Sequence, residues 1–156
     1  MINLGWLAST LYIATVVAAP TEPPAAGIAQ AGQQPFDPPT KCGSPAAISK
    51  SAVGFPEARA VGTDAEAWAL FFSPLDANRR VKIVWRMTGS GRFAVVAFKP
   101  NRKPIEPESP PVSHTSSTWQ RSGDEWGTWF TFPEPGCWDL HVSRDGSSAD
   151  LWIDVK

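Results

Sequence analysis

Histidine and cysteine are scarce in this chain, two of each among 156 residues, and that scarcity removes most catalytic and metal chemistry. A nucleophilic Ser or Cys needs a positioned base beside it. Neither His114 nor His141 lies in a Gly-rich elbow or next to a recognisable partner pattern. Gly-rich phosphate loops, zinc-ligand spacings and calcium loops are missing as well. No sign of charge dominates: 14 Lys and Arg stand against 15 Asp and Glu, interspersed, for a net charge of -1. Without a basic field, nucleic acid and anionic membranes are not expected partners. No helical heptad and no internal repeat is present. The sequence therefore predicts no enzyme, no catalytic residue, no cofactor and no metal site.

Turn formers and tryptophan are plentiful instead, with 16 Pro, 12 Gly and 8 Trp. The apolar run Leu4–Val17 is short for a membrane span and suits the hydrophobic region of a secretory leader, with Ala18 and Ala19 as small residues near a cut. An uncleaved anchor or a buried strand is the alternative. We read residues 1–19 as a signal peptide. Residues 20–41, rich in Pro, Ala, Gln and Gly, bury too little apolar surface to offset chain entropy and read as a tether. Residues 42–156 are left as one domain. A secreted or envelope-tethered domain sits in an oxidising compartment, where an even cysteine count favours a bridge between Cys42 and Cys137. Extracellular or cell-envelope localisation, and a monomer, are the corresponding expectations.

The domain reads as strands. Arg80–Thr88 (RVKIVWRMT) alternates cleanly, with Val81, Ile83, Trp85 and Met87 on one face and Lys82 and Arg86 on the other. Ala67–Ser73 places Trp68, Leu70 and Phe72 on one face. After Gly89-Ser90-Gly91, residues Arg92–Lys99 are predicted to return as the hairpin partner of Arg80–Thr88, central or covered because they are apolar on both faces. An edge strand is expected near Ala52–Phe55, and Pro100–Ser117, with five prolines, is expected to be a surface loop. The closing stretch gives strands at Thr128–Phe132, Cys137–Arg144 and Ala149–Val155. About seven short strands of this kind predict an all-β, immunoglobulin-like antiparallel β-sandwich.

Taking Asp145–Ser148 as the last loop pairs Arg144 with Ala149 and puts Trp138, Leu140, Val142, Leu151, Ile153 and Val155 on one core face. The other face then carries Asp139, His141, Trp152 and Asp154 as an exposed stripe, with Lys82 or Arg86 as the cation that relieves the opposed carboxylates. Asp124-Glu125 point to opposite faces of a strand and read as solvated charges, not as a hydrolytic pair. Trp68, Trp85 and Trp138 are assigned to the core. Trp119, Trp126, Trp129 and Trp152, with His141, form the candidate ligand-binding set, an exposed aromatic platform for a glycan or a partner protein.

The set His114, Cys137 and His141 bears a loose likeness to the ligands of blue-copper proteins. Here Cys137 and His141 fall within one predicted strand, no Met follows, and Cys42 competes for the thiol. A bridge and a surface histidine are the expectation. VKIVWRMTGSG, then GDEWGTWFTFPEPGCW, then ADLWIDV resembles a group of uncharacterised secreted or lipoprotein-like bacterial proteins with a C-terminal EWGTGF-x-FP-x-PGCW pattern. Trp129 stands where that pattern has Gly, adding bulk to its face. The resemblance implies an envelope location and lends no activity. PGCW is also similar to the turn that opens a late strand in many immunoglobulin-like domains. The functional expectation is a non-catalytic binding or interaction module. Its alternatives are a carbohydrate-binding domain using exposed Trp, or a protease inhibitor acting through Pro100–Ser117.

Overall fold

A computed structural model describes residue 42 and residues 48–62, 64–99, 103–115 and 117–156. The expected leader and tether lie outside these residues. Among the described residues the chain is all β: β1 (Ser49–Lys50), β2 (Pro56–Ala60), β3 (Ala67–Phe71), β4 (Arg80–Met87), β5 (Ala94–Phe98), β6 (Val112–His114), β7 (Asp124–Thr131), β8 (Gly136–Arg144) and β9 (Ser147–Val155). They form two antiparallel sheets, one of six strands in the order β1-β2-β3-β4-β7-β6 and one of three in the order β5-β8-β9.

Alternation explains how the sheets pack, because a strand apolar at every second position buries one face. Ile83, Trp85 and Met87 of β4 and Phe130 of β7 meet Trp138, Leu140 and Val142 of β8 and Leu151, Ile153 and Val155 of β9 in a single core. The fold is thus the expected β-sandwich. Six of the seven expected strands are present, and β1, β2 and β6 bring the number to nine, β1 and β6 being short edge strands that weak periodicity concealed. Two of the three core indoles are satisfied internally, Trp85 donating to the Thr128 hydroxyl at 2.9 Å and Trp138 to the Glu134 carbonyl at 3.2 Å.

Several expectations are corrected. Residues Ala52–Phe55 are a turn between β1 and β2 and not an edge strand. Strand β5 does not pair with β4; it pairs with β8, and Gly89-Ser90-Gly91 carries the chain from one sheet to the other. Being covered on both faces was the correct half of that expectation, since Val95, Val96, Ala97 and Phe98 are all buried. Pro100–Ser117 is not merely a loop: Ile105 bridges Ala97 by two 2.9 Å backbone hydrogen bonds, and β6 joins β7.

The last connection is two residues long, so Arg144 pairs with Ser147 and Val142 with Ala149. The slip from the expected register is two residues, an even number, so each side chain keeps its face. The companion expectation fails at Asp139 and Trp152, which are buried, and holds at Asp154, which is exposed and neutralised by Lys156. Lys82 and Arg86 belong to the other sheet and supply no counter-charge to Asp139.

The crossing between sheets is held by Arg144, which is buried. Its guanidinium donates to the Met87 carbonyl at 3.2 Å and to the Gly91 carbonyl at 3.1 and 3.3 Å, and pairs with Asp124 at 2.9 Å. A planar fork makes these bonds together, and an ammonium cannot. Arg144→Lys should therefore lower stability by about 2 kcal/mol, the worth of one or two charge-assisted hydrogen bonds. Urea denaturation measures it, and an unchanged midpoint would remove Arg144 from this role.

Candidate functional site on the outer face of the six-stranded sheet

The residues of β3, β4 and β7 that point away from the core build an unusual surface. Phe72, just beyond β3, donates its backbone N–H to the Lys82 carbonyl, and Lys82 pairs with Trp129 of β7. Their side chains therefore stand in one row across three strands. Phe55 extends the row, its ring 4.5 Å from that of Phe72. The Lys82 ammonium lies 5.1 Å from the Phe72 centroid and 6.0 Å from that of Trp129. The Arg80 guanidinium covers Trp129 at 4.2 Å. Rings and cations alternate, an arrangement in which each ring quadrupole steadies the neighbouring charge.

Exposure separates this row from ordinary packing. Phe55 and Phe72 remain 38% and 39% exposed. Arg80 pairs with Glu108 at 2.7 Å, and the Thr131 hydroxyl donates to the other Glu108 oxygen at 2.8 Å. Those contacts, the Thr131 bond first, hold the Glu108 carboxyl below its ordinary pKa. Lys82 pairs with no carboxylate among the described residues.

Farther along the same face the residues are engaged with one another. Trp119 is buried over Leu70 and Val84, and its indole donates to Glu57 at 2.7 Å. Arg121 pairs with the same buried Glu57 and stacks on Trp68 at 4.3 Å. Trp68, Glu66, Gln120, Arg121 and Ser122 line an open cleft of about 370 Å³. Glu66 accepts the Trp68 indole N–H at 2.9 Å, which lowers its pKa. Trp68 is accordingly an outer-face residue, not the core residue expected, and Glu125 is a buried partner of Arg86 at 3.0 Å, not a solvated charge.

Of the expected aromatic platform, the structure leaves Trp129 accessible and buries the rest. Trp119, Trp126 and Trp152 are 3%, 9% and 5% exposed. Trp126 stacks on Phe93 at 4.5 Å with the Arg144 guanidinium 4.8 Å from its ring. His141 and Trp152 lie on the outward face of the three-stranded sheet, remote from that row in the topology. There the His141 Nδ1 is 2.8 Å from Asp150 Oδ1, beside Asp139, whose two carboxyl oxygens receive no hydrogen bond from another residue and which faces the Asp150 carboxylate. Burial, and then the nearby charge of Asp150, push the Asp139 pKa up to about 7. Cys137 is bridged to Cys42, so its thiolate is not available as a ligand, and no three acidic, His or Cys side chains among the described residues are placed to hold a metal.

Phe55, Phe72 and Arg80 escaped the sequence reading. Phe72 carried a signal, since it shares a face with Trp68 and Leu70, but nothing local says that this face is the outer one. No family model, no curated protein and no solved structure matches the chain.

Proposed function

We propose that the protein is a non-catalytic binding module working outside the cytoplasm, and that it engages its partner through the outer face of the six-stranded sheet. The observation that carries this reading is the row Phe55, Phe72, Lys82, Trp129 and Arg80, exposed at Phe55, Phe72 and Arg80 and half-buried at Lys82 and Trp129, in which an ammonium without a carboxylate partner among the described residues is flanked by aromatic rings. Aromatic residues and arginine on a surface are the residues that dominate binding energy. Trp129 in place of the glycine of the resembled bacterial pattern adds one of those rings, and that resemblance supports an envelope location. The Cys42–Cys137 bridge is compatible with an oxidising compartment.

Burial supports the absence of catalysis. Among the described residues, the cluster of acid–base groups Asp139, His141 and Asp150 includes two carboxylates only 0% and 3% exposed, too enclosed to meet a substrate. The test is co-sedimentation of the protein with purified wall polysaccharide and, separately, with envelope proteins. Retention should fall about tenfold or more in Trp129→Ala and in Lys82→Glu, as expected for residues at the centre of a contact. It should be unaltered in His141→Gln. Retention indifferent to the first two variants would overturn the assignment of this face.

A further inference from the structure

We propose that the ligand of this row is a carboxylate-bearing polysaccharide of the uronate class, with a ring carboxylate on Lys82 and the sugar C–H groups against the parts of Phe72 and Trp129 that Phe55 and Arg80 leave open. The inference rests on the outer-face reading above and names its ligand.

Charge complementarity comes first. Lys82 is the cation of the row without a carboxylate partner, and Arg80, stacked on Trp129, is tied to the exposed Glu108. The site therefore has one anion-accepting position at its centre. The rings on either side hold the ammonium near a single place, so less freedom is lost when an anion arrives. The chain is close to neutral, so its net charge gives little long-range steering of an anion.

Geometry then separates a sugar from an acidic peptide. Phe72, Lys82 and Trp129 occupy adjacent strands, which lie about 4.8 Å apart, so the flanking rings are separated by about 10 Å. That is the reach of two linked pyranose rings. A uronate sets its carboxylate directly on a rigid ring, so one unit can present both the anion and apolar C–H groups to this spacing. A peptide lying on the face would meet no main-chain partner, because the backbone groups of a sheet bond within its plane. Peptides are taken up at sheet edges or in grooves. The neighbouring edge, β6, is three residues long and follows Pro110 and Pro111, which cannot donate to an added strand.

The test is affinity electrophoresis of the intact protein in native gels cast with polygalacturonate, with neutral dextran, or with poly-L-glutamate at equal carboxylate content. Polygalacturonate should retard the protein and the other two should not. Lys82→Gln and Trp129→Ala should each weaken retardation about tenfold, Lys82→Arg should keep it, and added salt should reduce it. Arg79→Gln removes the same charge from an exposed pair with Asp76 outside the row, and should bind as the parent does. Matching thermal midpoints show that the variants fold. Equal retardation by poly-L-glutamate overturns the sugar assignment in favour of an acidic protein. No retardation by polygalacturonate overturns it too. In either case co-sedimentation that still depends on Lys82 leaves the outer-face reading standing, so the two failures are distinguishable.

Discussion

Reducing the bridge between Cys42 and Cys137 should lower the unfolding free energy by about 4 to 5 kcal/mol in the chain-entropy account. The two cysteines are 95 residues apart, and their Cα atoms lie within 5.5 Å. In the unfolded chain that closure removes a large share of the accessible conformations. The folded domain, by contrast, has its own core and does not require the bond to bring its sheets together. The loss should therefore appear as a displaced midpoint with the fold retained, about 20 °C for a domain of this size. Thermal unfolding with and without reductant, and of the double variant Cys42→Ser, Cys137→Ser, gives the comparison. Thiol labelling of the folded protein before reduction completes it. Coincident midpoints, or two thiols reacting without reductant, would show that the loop is not closed.

Asp139→Asn should stabilise the protein at pH 8 by about 4 kcal/mol and abolish most of the pH dependence of stability between about 4 and 7. In the native protein Asp139 keeps its proton up to about pH 7, against 3.8 in its ordinary state, because it is buried and faces Asp150. The unfolded chain releases that proton near pH 4. Between the two values the folded state holds one more proton than the unfolded state, so stability falls as pH rises and levels off above about 7. This is opposite to the usual salt-bridged carboxylate. An asparagine has the shape of the protonated acid and carries an N–H that can donate to Asp150 Oδ2, which has no partner. Urea midpoints at pH 4.5, 6 and 8 decide the matter: parallel curves for the two proteins would contradict it.

What was legible in the sequence was whatever depends on neighbours along the chain. The alternation of Val81, Ile83, Trp85 and Met87 assigns the core face of β4, and the final hairpin keeps its faces even though its turn is two residues shorter. Partner choice is a different kind of information. A Gly-Ser-Gly connection reads as a tight hairpin, yet here it crosses between sheets, held by Arg144, which lies 53 residues beyond Gly91. Trp119 failed in the same way. Its polar neighbours suggested exposure, while the group that buries and satisfies it, Glu57, is 62 residues earlier. The row around Lys82 was half visible. Its outward direction followed from the period of two, but the phenylalanines that flank it belong to segments whose outer face nothing local identifies.

The position of the bridge also determines how the protein bears load. Tension entering ahead of Cys42 and leaving at Lys156 passes through the sulfur atoms into β8, and the segment between the cysteines, which contains β1 to β7, is bypassed. Only the stretch from Cys137 onward remains on the force path, and β8 is the central strand of its sheet, paired on both sides. Pulled across this span, the oxidised protein would yield only the contour of its last hairpin, and the six-stranded sheet, with the Lys82 row on it, would bear no load directly.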